Sequence, residues 1–148
     1  MNPDKVALAE SIEKRRDGER LPLLTLEEFF SNNTEEESIA PNQWEFGRPT
    51  LSEIWEHLRK VEKRDDVAWV RVTLHSDTEI GVRNGEIVCE LAGDSIAICT
   101  TAKPSEIEQT ANCERLCSDG VIKSFKSKWY TELPAIPKGY KVLTLWWD

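Results

Sequence analysis

The chain has 148 residues, 27 acidic against 19 basic side chains, and a formal net charge of −8. A chain of this size buries roughly two thirds of the surface its unfolded form exposes, so residues 1–148 are expected to form a single domain without disulfide or metal staples. The acidic excess has the wrong sign for a nucleic-acid or anionic-membrane binder, and four cysteines without C-x-x-C pairing, in a sequence with no transmembrane run, point to free thiols in a cytoplasmic protein.

Residues 1–20 read as an amphipathic helix at the periphery of the domain. Asn2 is placed to cap it, Pro3 at its first turn, Lys14, Arg15 and Arg16 near its negative end and Gly18 just beyond. Thr25 and Glu28 then form a capping box, with Leu24 set to staple onto Phe29, so a short helix starts at Leu26 and stops at the pair Asn32-Asn33. A loop with an acidic rim follows, in which Ile39 is the side chain expected to turn inward and Pro41 forbids a continuing helix. Residues 21–47 hold six glutamates and no lysine or arginine, so −6 of the net charge lies in this one window.

Thr50 and Glu53 repeat the capping-box spacing. Leu51, Ile54, Trp55, Leu58 and Val61 recur at helical spacing through Arg64, which makes Trp55 a core residue and puts His57 at the flank with its ring satisfied. From Val67 the period changes to two, as in a strand, and Asn84-Gly85 marks a tight hairpin inside what reads as a meander ending with residues 95–101. Pro104 and Glu106 open a third main helix reaching to about Leu116, and Asp119-Gly120 closes it. Residues 121–139 are irregular, with room for one short strand. Residues 140–147 read as an inner strand, on which Trp146 and Trp147 point to opposite faces. Both faces of the sheet therefore need cover, from the N-terminal helices or from a second copy of the chain. The fold class is α+β: an antiparallel-rich sheet of four to five strands with helices packed on it.

Catalytic signals are weak. Gly93-Asp94-Ser95-Ile96 resembles the block around the nucleophile of GDSL-type hydrolases, but that chemistry needs a base, and the residues three before His57 and His75 are Ile54 and Val72 where the family's Asp-x-x-His pair carries aspartate. Cys113 and Cys117 lack a partner pair at metal-ligand spacing and read as buried thiols. No catalytic residue, metal ligand or cofactor is assigned.

Across residues 21–148 a family pattern emerges. Leu23, Thr25-Leu26-Glu27-Glu28-Phe29-Phe30, Asn33, Glu36, Ser38-Ile39 and Asn42 resemble the N-terminal pattern of a group of small acidic bacterial proteins of unknown function. Arg64-Asp65-Asp66-Val67, the strand from Asp94 into Ser105-Glu106-Ile107, and Trp146-Trp147-Asp148 extend the similarity. The group tends to carry glycine beside Ser38-Ile39, where this chain has Glu37 and Ala40. The resemblance implies a bacterial cytosolic protein and assigns no activity.

The reading that composition favours is a binding protein, such as an immunity-type inhibitor, that sets an acidic patch on a basic protein partner. Its candidate binding residues are Glu27, Glu35, Glu36, Glu37, Ser38, Asn42 and Trp44. The alternatives are an enzyme or small-molecule sensor of unknown reaction, and a homo-oligomeric structural protein that dimerises through the doubly apolar sheet.

Overall fold

In the computed structural model, residues 3–148 are described. The expected cap at Asn2 lies outside them. Helix α1 (Pro3–Arg15) buries Ala9 and Ile12, the latter completely and within the main core. After the two-residue strand β1 (Leu21–Pro22), helix α2 (Leu26–Phe30) begins with the expected box: the Glu28 N–H donates to Thr25 Oγ1 at 3.1 Å and the Thr25 N–H to Glu28 Oε1 at 2.9 Å. The asparagines end it as expected. Asn32 is left-handed at φ 61°, and Asn33 Nδ2 donates to the Phe29 carbonyl at 3.0 Å, satisfying one of the acceptors left over at a helix end.

Helix α3 (Leu51–Glu62) buries Leu51, Ile54, Leu58 and Val61 along one stripe. Only half of its expected box forms, since Thr50 Oγ1 accepts from the Glu53 N–H at 3.4 Å while the Glu53 carboxylate turns to Arg115 Nε at 2.8 Å. The orphan N–H of Leu51 finds Glu36 Oε1 instead, at 3.0 Å. Trp55 is a correction to the expected core. It is half-buried at the edge of the stripe, stacked on Phe30 at 6.0 Å between centroids, with the Arg59 guanidinium 4.3 Å from its ring centroid. His57 is a second correction, because its Nδ1 is buried with no hydrogen-bond partner.

The chain continues through β2 (Val67–Leu74), β3 (Glu79–Arg83), β4 (Glu86–Glu90), β5 (Gly93–Thr100), α4 (Pro104–Ala111), β6 (Gly120–Ile122), β7 (Tyr130–Thr131) and β8 (Lys141–Trp146). The fold is α+β, with a four-stranded antiparallel sheet in the order β2-β5-β8-β6 and two small two-stranded sheets, β1-β7 and β3-β4. The expected meander does not form. Asn84 (φ 54°) and Gly85 (φ 79°) make the hairpin, but β3 and β4 pair only with each other, while β5 returns to pair with β2. The physical reason is burial: β3 and β4 carry Glu79, Arg83, Glu86 and Glu90 and are largely exposed, whereas β2 and β5 are mostly buried and occupy the sheet. α4 stops five residues before Leu116, because Asn112 takes up a left-handed cap at φ 56°.

Strand β8 is an inner strand, as expected. One sheet face, with Val70, Val72, Ile96, Ile98, Leu143 and Leu145, lies under the four helices. The other face, with Trp69, Ala97, Cys99 and Val142, is covered by Phe125 and Tyr140, and Trp69 Nε1 donates to the Ala135 carbonyl at 3.0 Å. The irregular segment therefore supplies the second cover. Neither the N-terminal helices nor a second copy is needed for it. Trp147 joins the main core while Trp146 lines a cleft beside Phe125 and Thr144.

Ile39 is fully buried, and the next residue, Ala40, is held at φ 48°, ψ 48°. Left-handed alanine costs about 1–2 kcal/mol, which glycine would release. Glycine would also give up a buried methyl worth about 0.8 kcal/mol and add freedom to the unfolded chain. Ala40→Gly is therefore expected to change unfolding free energy by less than about 1 kcal/mol, and Ala40→Val, β-branched at a left-handed position, to cost more than about 2 kcal/mol. Urea denaturation of the two variants checks both values. Equal midpoints for Val and Gly would contradict the left-handed assignment.

Candidate functional site

The expected binding residues divide into two groups. Glu27, Glu35, Glu37, Asn42 and Trp44 face outward. Glu36 and Ser38 serve the fold: Glu36 is half-buried with its carboxylate on the Leu51 N–H, and Ser38 is buried with its hydroxyl accepting from Asn33 Nδ2 at 3.0 Å. The cation that organises this loop is Arg48, one residue beyond the lysine- and arginine-free window. Its side chain is fully buried, Nη2 donates to the Glu36 carbonyl at 2.6 Å, and its guanidinium lies 4.6 Å from the centroid of Trp44. Burial pushes the Arg48 guanidinium down from its ordinary value, with Glu36 opposing the shift.

A second internal pair braces α1 against α2. Arg15 Nη1 lies 2.6 Å from Glu28 Oε2. Burial acts against the charged form of each, yet the hydrogen bonds outweigh it, holding the Glu28 carboxyl below and the Arg15 guanidinium above their ordinary values. Of the six window glutamates, Glu28 and Glu36 are thus consumed internally.

Glu27, Glu35 and Glu37 lie along three adjoining clefts, while the exposed Glu45 lines none of them. The first, about 340 Å³, runs between α1, α2 and the end of the β3–β4 ribbon, with Leu8 and Leu91 among its apolar walls and Asp4, Glu27 and Glu35 on its rim. The second, about 240 Å³, shares Glu35 with the first and adds Glu37 and Glu90. The third, about 360 Å³, shares Glu37 with the second and brings in Asn42, Asp77, Asp94, Trp147 and Asp148. Because each cleft shares a glutamate with the next, they form one acidic seam. Lys5 and His75 are the basic side chains in it, with Lys5 Nζ 3.8 Å from Glu35 and His75 Nδ1 accepting from the Asp77 N–H at 3.0 Å. The turn leading into Arg48 carries exposed aromatics, Trp44 at 40% and Phe46 at 78%.

Sequence reasoning missed Asp4, Asp77, Glu90, Asp94 and Asp148 as members of this surface. They come from distant segments that only the fold brings together. The signal available was partial: Asp94 and Asp148 belong to the pattern that carried the family resemblance, and with Ser38, Asn42 and Trp147 they converge on the third cleft.

The model of the family described as "Uncharacterized protein YfbO family" matches residues 4–145, which include nearly the whole seam. The chain belongs to the YfbO family. It is 29% identical over 134 residues to "Uncharacterized protein YfbO" of Escherichia coli (strain K12), covering 86% of this chain and 83% of that protein. No solved structure gives a significant match. The match supports the expected kinship with a bacterial family of unknown function.

Chemically, this YfbO-family chain offers a negative surface with few cations. Ser95 is buried, its Oγ 2.8 Å from Thr73 Oγ1, so its hydrogen-bond partner is another hydroxyl rather than an imidazole. Among the described residues no group of three or more His, Cys, Asp or Glu side chains is arranged to hold a metal ion, and no helix is long and apolar enough to cross a membrane.

Proposed function

We propose that the chain is a cytoplasmic binding protein that sets the acidic seam, flanked by Trp44 and Phe46, against a basic protein partner, in the manner of an immunity-type inhibitor. The observation that supports the reading is the seam itself. Glu27, Glu35 and Glu37, which the sequence spreads over eleven positions, line contiguous clefts with carboxylates from four other segments. Such a field steers a cationic partner, and exposed aromatics beside it supply the few contacts that hold it.

The test replaces Glu27, Glu35 and Glu37 together by glutamine, leaving the internally used Glu28 and Glu36 untouched. Melting temperature is expected to stay within about 2 °C, since exposed charges away from packing change stability little. Capture of basic proteins from the source cell's lysate should fall, and association with a captured partner should slow about tenfold at low salt, with the difference shrinking as salt rises. Identical partners and rates for both proteins would sink the reading. The size of the first cleft favours a second reading, a sensor of a small cationic ligand, because about 340 Å³ lies within the range of small-molecule sites. Calorimetric binding of a polyamine, abolished by the same triple substitution, would select it.

A further inference from the structure

The acidic seam does not stop at its third cleft. Two further clefts open beside it at one end of the central sheet, where β2 finishes at Leu74, β5 begins at Gly93 and β8 finishes at Trp146. One, about 330 Å³, is walled by Arg20, Leu74, Lys128 and Trp129, and the other, about 280 Å³, by Ile122, Lys126, Trp129 and Trp146. Asp94 lines both of these and the third cleft of the seam, which also shares His75 with the larger of the two. The end of the sheet is one continuous surface.

Its charge changes sign across that junction. On the seam side stand Glu37, Asp77 and Asp148, and among the described residues no lysine or arginine lines the cleft. On the other side stand Arg20, Lys126 and Lys128, opposed by Glu19 and the shared Asp94. Apolar groups accompany these cations. Trp129 is 56% exposed and Ile122 45%, and the Lys126 ammonium lies 4.1 Å from the Trp129 ring centroid. Large apolar side chains grouped on a surface mark a contact site. The segment that carries them is pinned, because the Arg20 guanidinium donates to the Lys128 and Tyr130 carbonyls at 3.1 and 2.9 Å.

We propose that this end of the sheet is the interface of a two-fold homodimer, in which the acidic half of one copy meets the basic, tryptophan-bearing half of the other. The adjacency of the two signs selects a second copy. A two-fold axis near Asp94 and His75 turns each half onto its opposite, so every attraction is made twice and the contact closes on itself. A partner of one sign laid across the junction would be repelled by half of the surface. The interface is the end of the sheet and not the back face that Phe125 and Tyr140 cover. It does not rest on the proposed partner, since Glu27 and Glu35 lie outside it.

The experiment is sedimentation velocity of the purified whole chain. At about 100 μM protein and low salt, a species of twice the 17.0 kDa chain mass is expected, and it should dissociate as salt rises. Glu37→Lys with Asp148→Lys, or Lys126→Glu with Lys128→Glu, sets like charges across both halves, and each pair is expected to weaken the dimer at least about tenfold. Mixing the two double variants should restore a dimer, because each then meets the opposite sign. The quadruple variant should dimerise by itself. Circular dichroism verifies that the double variants are folded, and the mixture decides even if the quadruple variant does not fold. A parent that stays monomeric at low salt, a dimer unchanged in either double variant, or double variants that stay monomeric when mixed would each overturn the proposal.

Discussion

Phe29→Ala is expected to lower unfolding free energy by about 3–5 kcal/mol, the range for truncating a fully buried phenylalanine. The ring has no solvent exposure and meets Phe30 edge-on, with centroids 4.9 Å apart and planes at 74°. It also explains a glycine. A Cβ on Gly93 would come 2.9 Å from Phe29 Cζ and 3.2 Å from the Ile39 side chain, so Gly93 is required by the ring above it and not by its backbone. Gly93→Ala alone should cost about 1–3 kcal/mol as an overpacking change. In a Phe29→Leu background the same substitution should cost clearly less, because the clashing ring edge is gone. Urea denaturation of the four proteins gives the coupling directly. Additive costs would mean that Phe29 and Gly93 do not share the contact assigned to them.

The same contact shows what a sequence can disclose. Thr25 and Glu28, the Leu51, Ile54, Leu58 and Val61 stripe on α3, the Asn84-Gly85 turn and the apolar run of β8 are all set by near neighbours in the chain, and each formed where its pattern placed it. Pairings across intervening segments left no such mark. Nothing in Val67–Leu74 or Gly93–Thr100 alone says that these strands meet while a charged ribbon between them pairs with itself. The cover over Trp69 was equally hidden, because residues 123–140 are irregular apart from the short β7 and hold the sheet through Phe125, Tyr140 and the carbonyls of Ser124 and Ala135.

The candidate site was legible in the same uneven way. Charge counting found Glu35 and Glu37 but could not separate them from Glu36, whose carboxylate turns inward because Arg48 and the first N–H of α3 need it. Trp55 kept the helical period of a core residue, yet its position at the edge of the stripe leaves it stacked between Phe30 and Arg59. Periodicity assigns a face, and only packing decides how deep each residue on that face lies.

Trp147 is where fold and seam meet, and its substitution carries the second large effect. The side chain is 8% exposed within the main core, lines the third cleft beside Asn42 and Asp94, and donates Nε1–H to the Leu116 carbonyl at 2.9 Å. Leu116 lies in the turns that replace the last part of the expected helix, where the Leu116 N–H donates to the Asn112 carbonyl at 3.1 Å, so this bond ties the end of the sheet to those turns. Trp147→Ala should cost about 3–5 kcal/mol through lost packing. Trp147→Phe keeps most of the ring volume but leaves a buried carbonyl without its donor, for about 1–3 kcal/mol. Thermal and urea unfolding of the two variants separate the terms. If Phe were as stable as tryptophan, the Leu116 bond would contribute nothing net and the turns after α4 would be held by the burial of Leu116 and by the bonds from Ser118 and Asp119 to the Trp146 carbonyl. If Phe were as damaging as alanine, the hydrogen bond rather than the ring would be what anchors this edge of the acidic seam.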